Sequence, residues 1–142
     1  MADLAVRVEG NPVNGHEASD VEIADAWIDH TYRYRPAGER SAAHDDDPAW
    51  WAIDVVMDLQ SSDPMRALEI AFAIARKSTD EWVLENLGAG PLETLLRDDP
   101  TLLDAIQIEA ASSAGLLEAL RSVWSSSMPD ETRAALHRLI GP

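Results

Sequence analysis

The sequence predicts an all-α fold: one compact domain of seven or eight helices, arranged as helical hairpins with weak repeat-like (HEAT-like) character. Three observations predict it. Asp-Pro pairs at Asp47-Pro48, Asp63-Pro64 and Asp99-Pro100 each precede an apolar-periodic segment. Aspartate caps the unpaired first-turn N–H groups of a helix, and proline suits the first helical position, where it has no N–H to lose. Apolar residues then recur at spacings of three and four along the body of the chain. Alternation at a period of two is confined to Leu4, Val6 and Val8. Residues 1–18 are therefore read as an extended or disordered N-terminal arm, and 19–142 as the helical domain.

The first helix begins at Ser19, which has capping-box spacing to Glu22. Val21, Ala24, Ile28 and Tyr32 form its stripe, with Trp27 beside them. Residues 33–46 are polar, contain Pro36 and Gly38, and read as a loop. A second helix runs from about Pro48 to Ser61, with Trp51, Val55 and Leu59 on one side. A third starts at Pro64. It is apolar nearly all round from Ala67 to Ala75, which marks it as the central buried helix. Arg76 and Lys77 close it, as cations suit a helix C-terminus. A fourth spans about Asp80 to Leu87 and a fifth Pro91 to Arg97. The sixth starts at Pro100, with Leu103, Ile106 and Ala110 inward. A seventh carries Leu117, Leu120 and Trp124. Pro129 opens the eighth, and Gly141-Pro142 stops it.

The repeat-like character comes from an offset of 36 residues. It aligns Asp63-Pro64 with Asp99-Pro100, Ile70 with Ile106, Phe72 with Ile108 and Leu84 with Leu120. Periods of this size suit stacked helix pairs.

Between the fourth and fifth helices, "LENLGAGPLETLL" could be a phosphate-cradling loop or a turn. It lacks the Lys-Ser/Thr of a P-loop and follows a helix rather than a strand. The expectation is a turn, with Gly88 at positive φ closing one helix.

Composition narrows the function classes. The 142 residues carry 26 acids against 11 bases, a formal net charge of −15, and Lys77 is the single lysine. Such a surface repels nucleic-acid phosphates and anionic lipid heads, so a protein partner, and a basic one, is expected rather than nucleic acid or membrane. With no cysteine, disulfides, thiolate nucleophiles and Cys-based zinc sites are excluded. No apolar run approaches the roughly 20 residues of a membrane span. The start of the chain does not read as a signal peptide, so a cytoplasmic setting is expected.

Candidate chemistry is sparse. The run His44-Asp45-Asp46-Asp47 has consecutive rather than alternating acids, unlike a calcium loop. His16, His30, His44 and His137 lack the spacing of a helical metal site and read as surface residues. The acid pairs Asp25/Asp29, Asp54/Asp58 and Glu81/Glu85 read as exposed polar faces. Ser125-Ser126-Ser127 has neither a glycine elbow nor a positioned base. No catalytic residue, metal ligand or cofactor site is assigned. Five tryptophans remain: Trp27, Trp50, Trp51, Trp82 and Trp124. Trp51 and Trp124 lie on apolar stripes and are expected in the core. Trp50 or Trp82 is expected to form an exposed contact surface.

The stretches "ADAWIDH", "DPAWWAIDVVMDL", "DPMRALEIAFAI", "VLENLGAGPLETLL" and "SVWSSSMPDE" occur in that order. Together they resemble an uncharacterised family of small bacterial helical proteins, a domain of unknown function, over about residues 22–140. The resemblance implies an all-α domain in a bacterial cytoplasm and no known activity. The expected function is a non-enzymatic protein-interaction module. The alternatives are an acidic immunity-type or nucleic-acid-mimicking inhibitor of a basic protein, and an enzyme of unrecognised type.

Overall fold

The computed structural model describes residues 17–34 and 48–141. The expected strand at Leu4, Val6 and Val8, the expected arm apart from its last two residues, the Asp47 cap, the aspartate run, His16 and His44 lie outside them. The described residues are helical, in the order α1 (Asp20–Arg33), α2 (Trp50–Ser62), α3 (Pro64–Lys77) and α4 (Glu81–Leu87). A π-helical turn (Gly88–Leu92), α5 (Glu93–Asp98) and a 3₁₀ turn (Pro100–Leu102) follow. The chain ends with α6 (Leu103–Ala110), α7 (Ala114–Leu120) and α8 (Asp130–Ile140).

Several helix starts follow from capping chemistry. At Ser19 the capping box is complete: Glu22 N–H donates to Ser19 Oγ at 3.1 Å, and Ser19 N–H to Glu22 Oε1 at 2.9 Å. Asp63 and Asp80 cap α3 and α4 by accepting from the N–H groups of Arg66 and Val83, at 3.3 and 3.0 Å. Ser113 caps α7 in the same way. The start expected at Pro48 is displaced: Pro48 lies in a turn, and α2 begins at Trp50 after Ala49, with no side-chain cap.

The core centres on α3, which touches α1, α2, α4, the π turn and α7. Its Leu68, Ile70 and Ile74 are fully buried. On α1 the buried stripe is Ile23, Ala24, Trp27, His30 and Thr31, whereas Val21 and Tyr32 are exposed. The expected stripe was therefore rotated, because a histidine and a threonine occupy buried positions. Arg66 fixes α1 to α3: its Nη2 donates to Ala18 O at 2.7 Å and its Nε to Asp20 at 3.0 Å. Ala18 itself is buried. Arg76 and Glu109 join α3 to α6 through paired hydrogen bonds of 2.7 and 2.9 Å. The hydrogen bond to Glu109 raises the Arg76 pKa above its ordinary value.

The expected repeat-like (HEAT-like) character is not confirmed, although some aligned positions share local features. Asp63 (φ −155°, ψ 73°) and Asp99 (φ −146°, ψ 87°) share one capping conformation. Ile70 and Ile106 are both buried, as are Leu84 and Leu120. The middle differs: α3 has 14 residues and α6 only 8, and Ile108 is 77% exposed where Phe72 is buried.

Gly88 corrects the expected turn. Its φ is −69° and ψ −49°, a right-handed helical conformation, and the path continues through the π turn into α5. Pro91 explains the widening. Proline offers no N–H to the carbonyl four residues back, and its ring would collide with that carbonyl in a regular α-helix. In the π turn Glu93 N–H instead reaches Gly88 O, five residues back. Glycine is needed at 88 for proximity: an ideal Cβ there would lie 1.8 Å from Ala119 O on α7. Gly115 on α7 makes the same approach to α3, with its Cβ position 2.2 Å from Ala75 O. The single positive-φ glycine among the described residues is Gly141 (φ 83°), which ends α8.

These contacts predict an asymmetric alanine series. Gly88→Ala and Gly115→Ala press a methyl group onto backbone that cannot swing aside, and each should destabilise the fold by about 2–3 kcal/mol. Gly90 has nothing within 4 Å of its Cβ position. Gly90→Ala should be neutral, or stabilising by up to about 1 kcal/mol through helix propensity. Urea unfolding of the three variants checks the order.

Candidate functional site

Among the described residues, Trp27, His30, Tyr34, Trp50 and Trp82 gather where α1, α2, α4 and the π turn meet. Trp27, His30 and Tyr34 reach it from the C-terminal half of α1 and the residue after it. They recur at i, i+3 and i+7, which places them on one face. On α2, Trp50, Ile53, Met57 and Gln60 follow the same spacing and form the opposite wall. Trp82 and Asn86, one turn apart on α4, close a third side with Gly90, Pro91 and Thr94. The space between them is a groove of about 570 Å³.

The rings are fixed by mutual packing. His30 lies 4.8 Å from Tyr34 between ring centroids, tilted by 39°. Trp50 meets His30 edge-on at 5.4 Å and 64°. Such tilted and edge-to-face pairs suit the aromatic quadrupole. His30 is 5% exposed, so its expected surface position is corrected. It occupies the α1 stripe between Trp27 and Tyr34 and is held among rings. On α4, Asn86 Nδ2 donates to Trp82 O at 2.8 Å, which turns the amide oxygen away from its own helix backbone.

The described walls thus carry aromatic, aliphatic and neutral amide or hydroxyl groups. No aspartate or glutamate is among the described groove-lining residues. Asp54 and Asp58 follow Ile53 and Met57 on α2, and Glu81 and Glu85 precede Trp82 and Asn86 on α4; all four acids are exposed. Asp25 and Asp29 are exposed too, paired with Lys77 and Arg33 at 3.1 Å each. Among the described residues, no three histidine, aspartate or glutamate side chains converge on a common point. No helix among them is long and apolar enough to cross a membrane.

Trp50 and Trp82, the two expected contact residues, are brought to the same groove from positions 32 apart. Both are half-buried and line the groove. Trp51 is half-buried against the core. Trp124 departs from expectation: it is 70% exposed. Helix α7 ends at Leu120, so the periodicity that placed Trp124 inward does not extend to it. Its backbone N–H instead donates to Glu93 Oε1 at 2.8 Å, tying the segment after α7 to the first turn of α5.

Comparison with known proteins places the chain in a family. The sequence profile of a family of unknown function, DUF6869, matches residues 39–140, and the chain belongs to that family. The match begins after "ADAWIDH", so that part of the expected resemblance falls outside it, while residues 40–47 fall inside. No curated protein and no solved structure matches the chain.

Tryptophan truncations should rank by burial. Trp27, 5% exposed, should cost about 3–5 kcal/mol on mutation to alanine. Trp50→Ala and Trp82→Ala should cost less, because part of each ring already meets solvent. Trp124→Ala should fall within about 0.5 kcal/mol of the parent. Guanidinium unfolding midpoints test the ranking.

Proposed function

We propose that this member of the family is a non-enzymatic interaction module that binds a basic protein partner in the groove walled by Trp50 and Trp82. One observation carries this reading. Two tryptophans from distant parts of the chain line one groove, and the helices that carry them also present exposed acids. Rigid aromatic anchors supply affinity at protein interfaces, while surrounding charge sets encounter rate and partner choice. The surplus of 26 acids over 11 bases extends the same preference to long range. The sequence resemblance supports a bacterial cytoplasmic setting.

The test pairs binding with melting. A partner recovered from the host should be basic, and its association with the purified chain should slow as salt rises, since the Debye length is about 8 Å near physiological ionic strength. Trp82→Ala should weaken binding by roughly 2 kcal/mol or more while the protein still melts cooperatively. Trp50→Ala should act in the same direction. If both folded variants bind the partner as tightly as the parent does, the groove is not the binding surface.

A further inference from the structure

We infer that the cleft between the C-terminal ends of α7 and α8 is a second binding surface, and that it takes an acidic segment of a protein partner. It stands apart from the aromatic groove, on other residues and with the opposite charge.

Two helix ends build the cleft. Arg121, the C-cap of α7, forms one wall. His137, Ile140 and Gly141 form the other, at i, i+3 and i+4 along the end of α8, with Arg138 beside them. The space they line measures about 720 Å³. Ile140 is half-buried against the core and supplies an apolar wall.

The local charge reverses that of the chain. Residues 119–142 carry three of the 11 bases and two of the 26 acids, Asp130 and Glu131. Neither acid lines the cleft; both lie in the first turn of α8. The positions one turn before Arg138 are Ala134 and Ala135, so its own helix brings it no carboxylate. Every other lysine or arginine among the described residues has an ion pair, whereas Arg138 has neither an ion pair nor a hydrogen bond. Arg121 is held loosely. Its Nε lies 3.7 Å from Glu118 and both side chains are half exposed, so a ligand can replace that contact at little loss. The two helix ends add about half a negative charge each at most. Two guanidiniums, each a full positive charge with five N–H donors, outweigh them.

These groups select carboxylates on a peptide. Each guanidinium can take a carboxylate through two parallel hydrogen bonds. The His137 ring keeps at least one N–H in either protonation state. An apolar residue between two acids would meet Ile140. A phosphate concentrates nearly two charges at one point, against a chain of net −15, whereas two carboxylates spread theirs over both arginines. The rest of the chain repels an acidic segment, but that field decays over about 8 Å at physiological ionic strength, so contacts inside the cleft decide.

The experiment follows backbone amide shifts of the full ¹⁵N-labelled chain during titration with a blocked Glu-Leu-Glu tripeptide, its Gln-Leu-Gln analogue and inorganic phosphate. Glu-Leu-Glu should give saturable shifts at Arg121, His137, Arg138 and Gly141. It should bind about tenfold tighter than Gln-Leu-Gln, as expected for charged hydrogen bonds. Arg138→Gln should weaken it by about tenfold, and Arg121→Gln should act in the same direction from the other helix. Arg138 has no partner to lose, so its variant should melt within about 2 °C of the parent. Arg33→Gln removes the same charge from α1 and should leave the titration unchanged. Equal binding of Gln-Leu-Gln, tighter binding of phosphate, no saturable shift at the cleft, or an equal loss in Arg33→Gln overturns the inference. So does unchanged binding in Arg138→Gln and Arg121→Gln. If concentrating the chain alone produces the same shifts and Arg138→Gln removes them, a second copy occupies the cleft and the assignment to a partner falls.

Discussion

The structure depends on how closely α7 lies against its neighbours. Two glycines set that distance at successive turns of the helix. Gly88 meets the Ala119 carbonyl of α7, and Gly115 of α7 meets the Ala75 carbonyl of α3. A helix held this closely to two neighbours has little freedom to slide or rotate. Its Leu116, Ala119 and Leu120 can then be fully buried although the helix has only seven residues. Such a short helix would be marginal alone, and its stability comes from packing. Through α7 the constraint reaches α8, which packs on it, and α3, around which the other helices are arranged.

The π turn connects this packing to the groove. Its first residue, Gly88, faces α7, while Gly90 and Pro91 form part of the groove wall. One five-residue segment therefore serves the core on one side and the candidate site on the other. Arginines do comparable joining work at the periphery. Arg66 and Arg76 reach across helices to Asp20 and Glu109, and Lys77 reaches Asp25. Exposed ion pairs of this kind contribute modestly each. Their larger effect is on the surface: with many of the few cations engaged in tethering, acids such as Asp54 and Glu85 dominate the outward field.

Much of the fold was legible because capping is local. Ser19, Asp63 and Asp80 bond to groups two or three residues into their helices, so spacing alone reveals them. Gly88 was legible as necessary but not for the right reason. Positive φ and close backbone approach both demand the absence of a Cβ, and only the second involves Ala119, which is 31 residues away. Trp124 was misplaced because a 3.6-residue period was extended past the end of its helix. Trp50 and Trp82 were singled out by elimination, but their convergence depends on how α2 and α4 pack, which no local pattern encodes. His30 could have been found: Trp27, His30 and Tyr34 repeat at helical spacing, and an aromatic stripe containing a histidine marks a face turned inward.

The π turn also bears on how the family can change in length. A π turn amounts to one residue inserted into an otherwise continuous helix, and each residue turns a helix by about 100°. Loss of one position between 88 and 92 would restore regular winding only by rotating the following segment through that angle. Leu95 and Leu96 would leave the core, Glu93 would leave the Trp124 N–H, and Thr94 would leave the groove. An insertion would misplace them in the opposite sense. Homologues should therefore vary in residue type at Ala89 and Gly90, hold a glycine at 88, and keep the segment's count constant, so that an alignment of the family carries a gap-free block there.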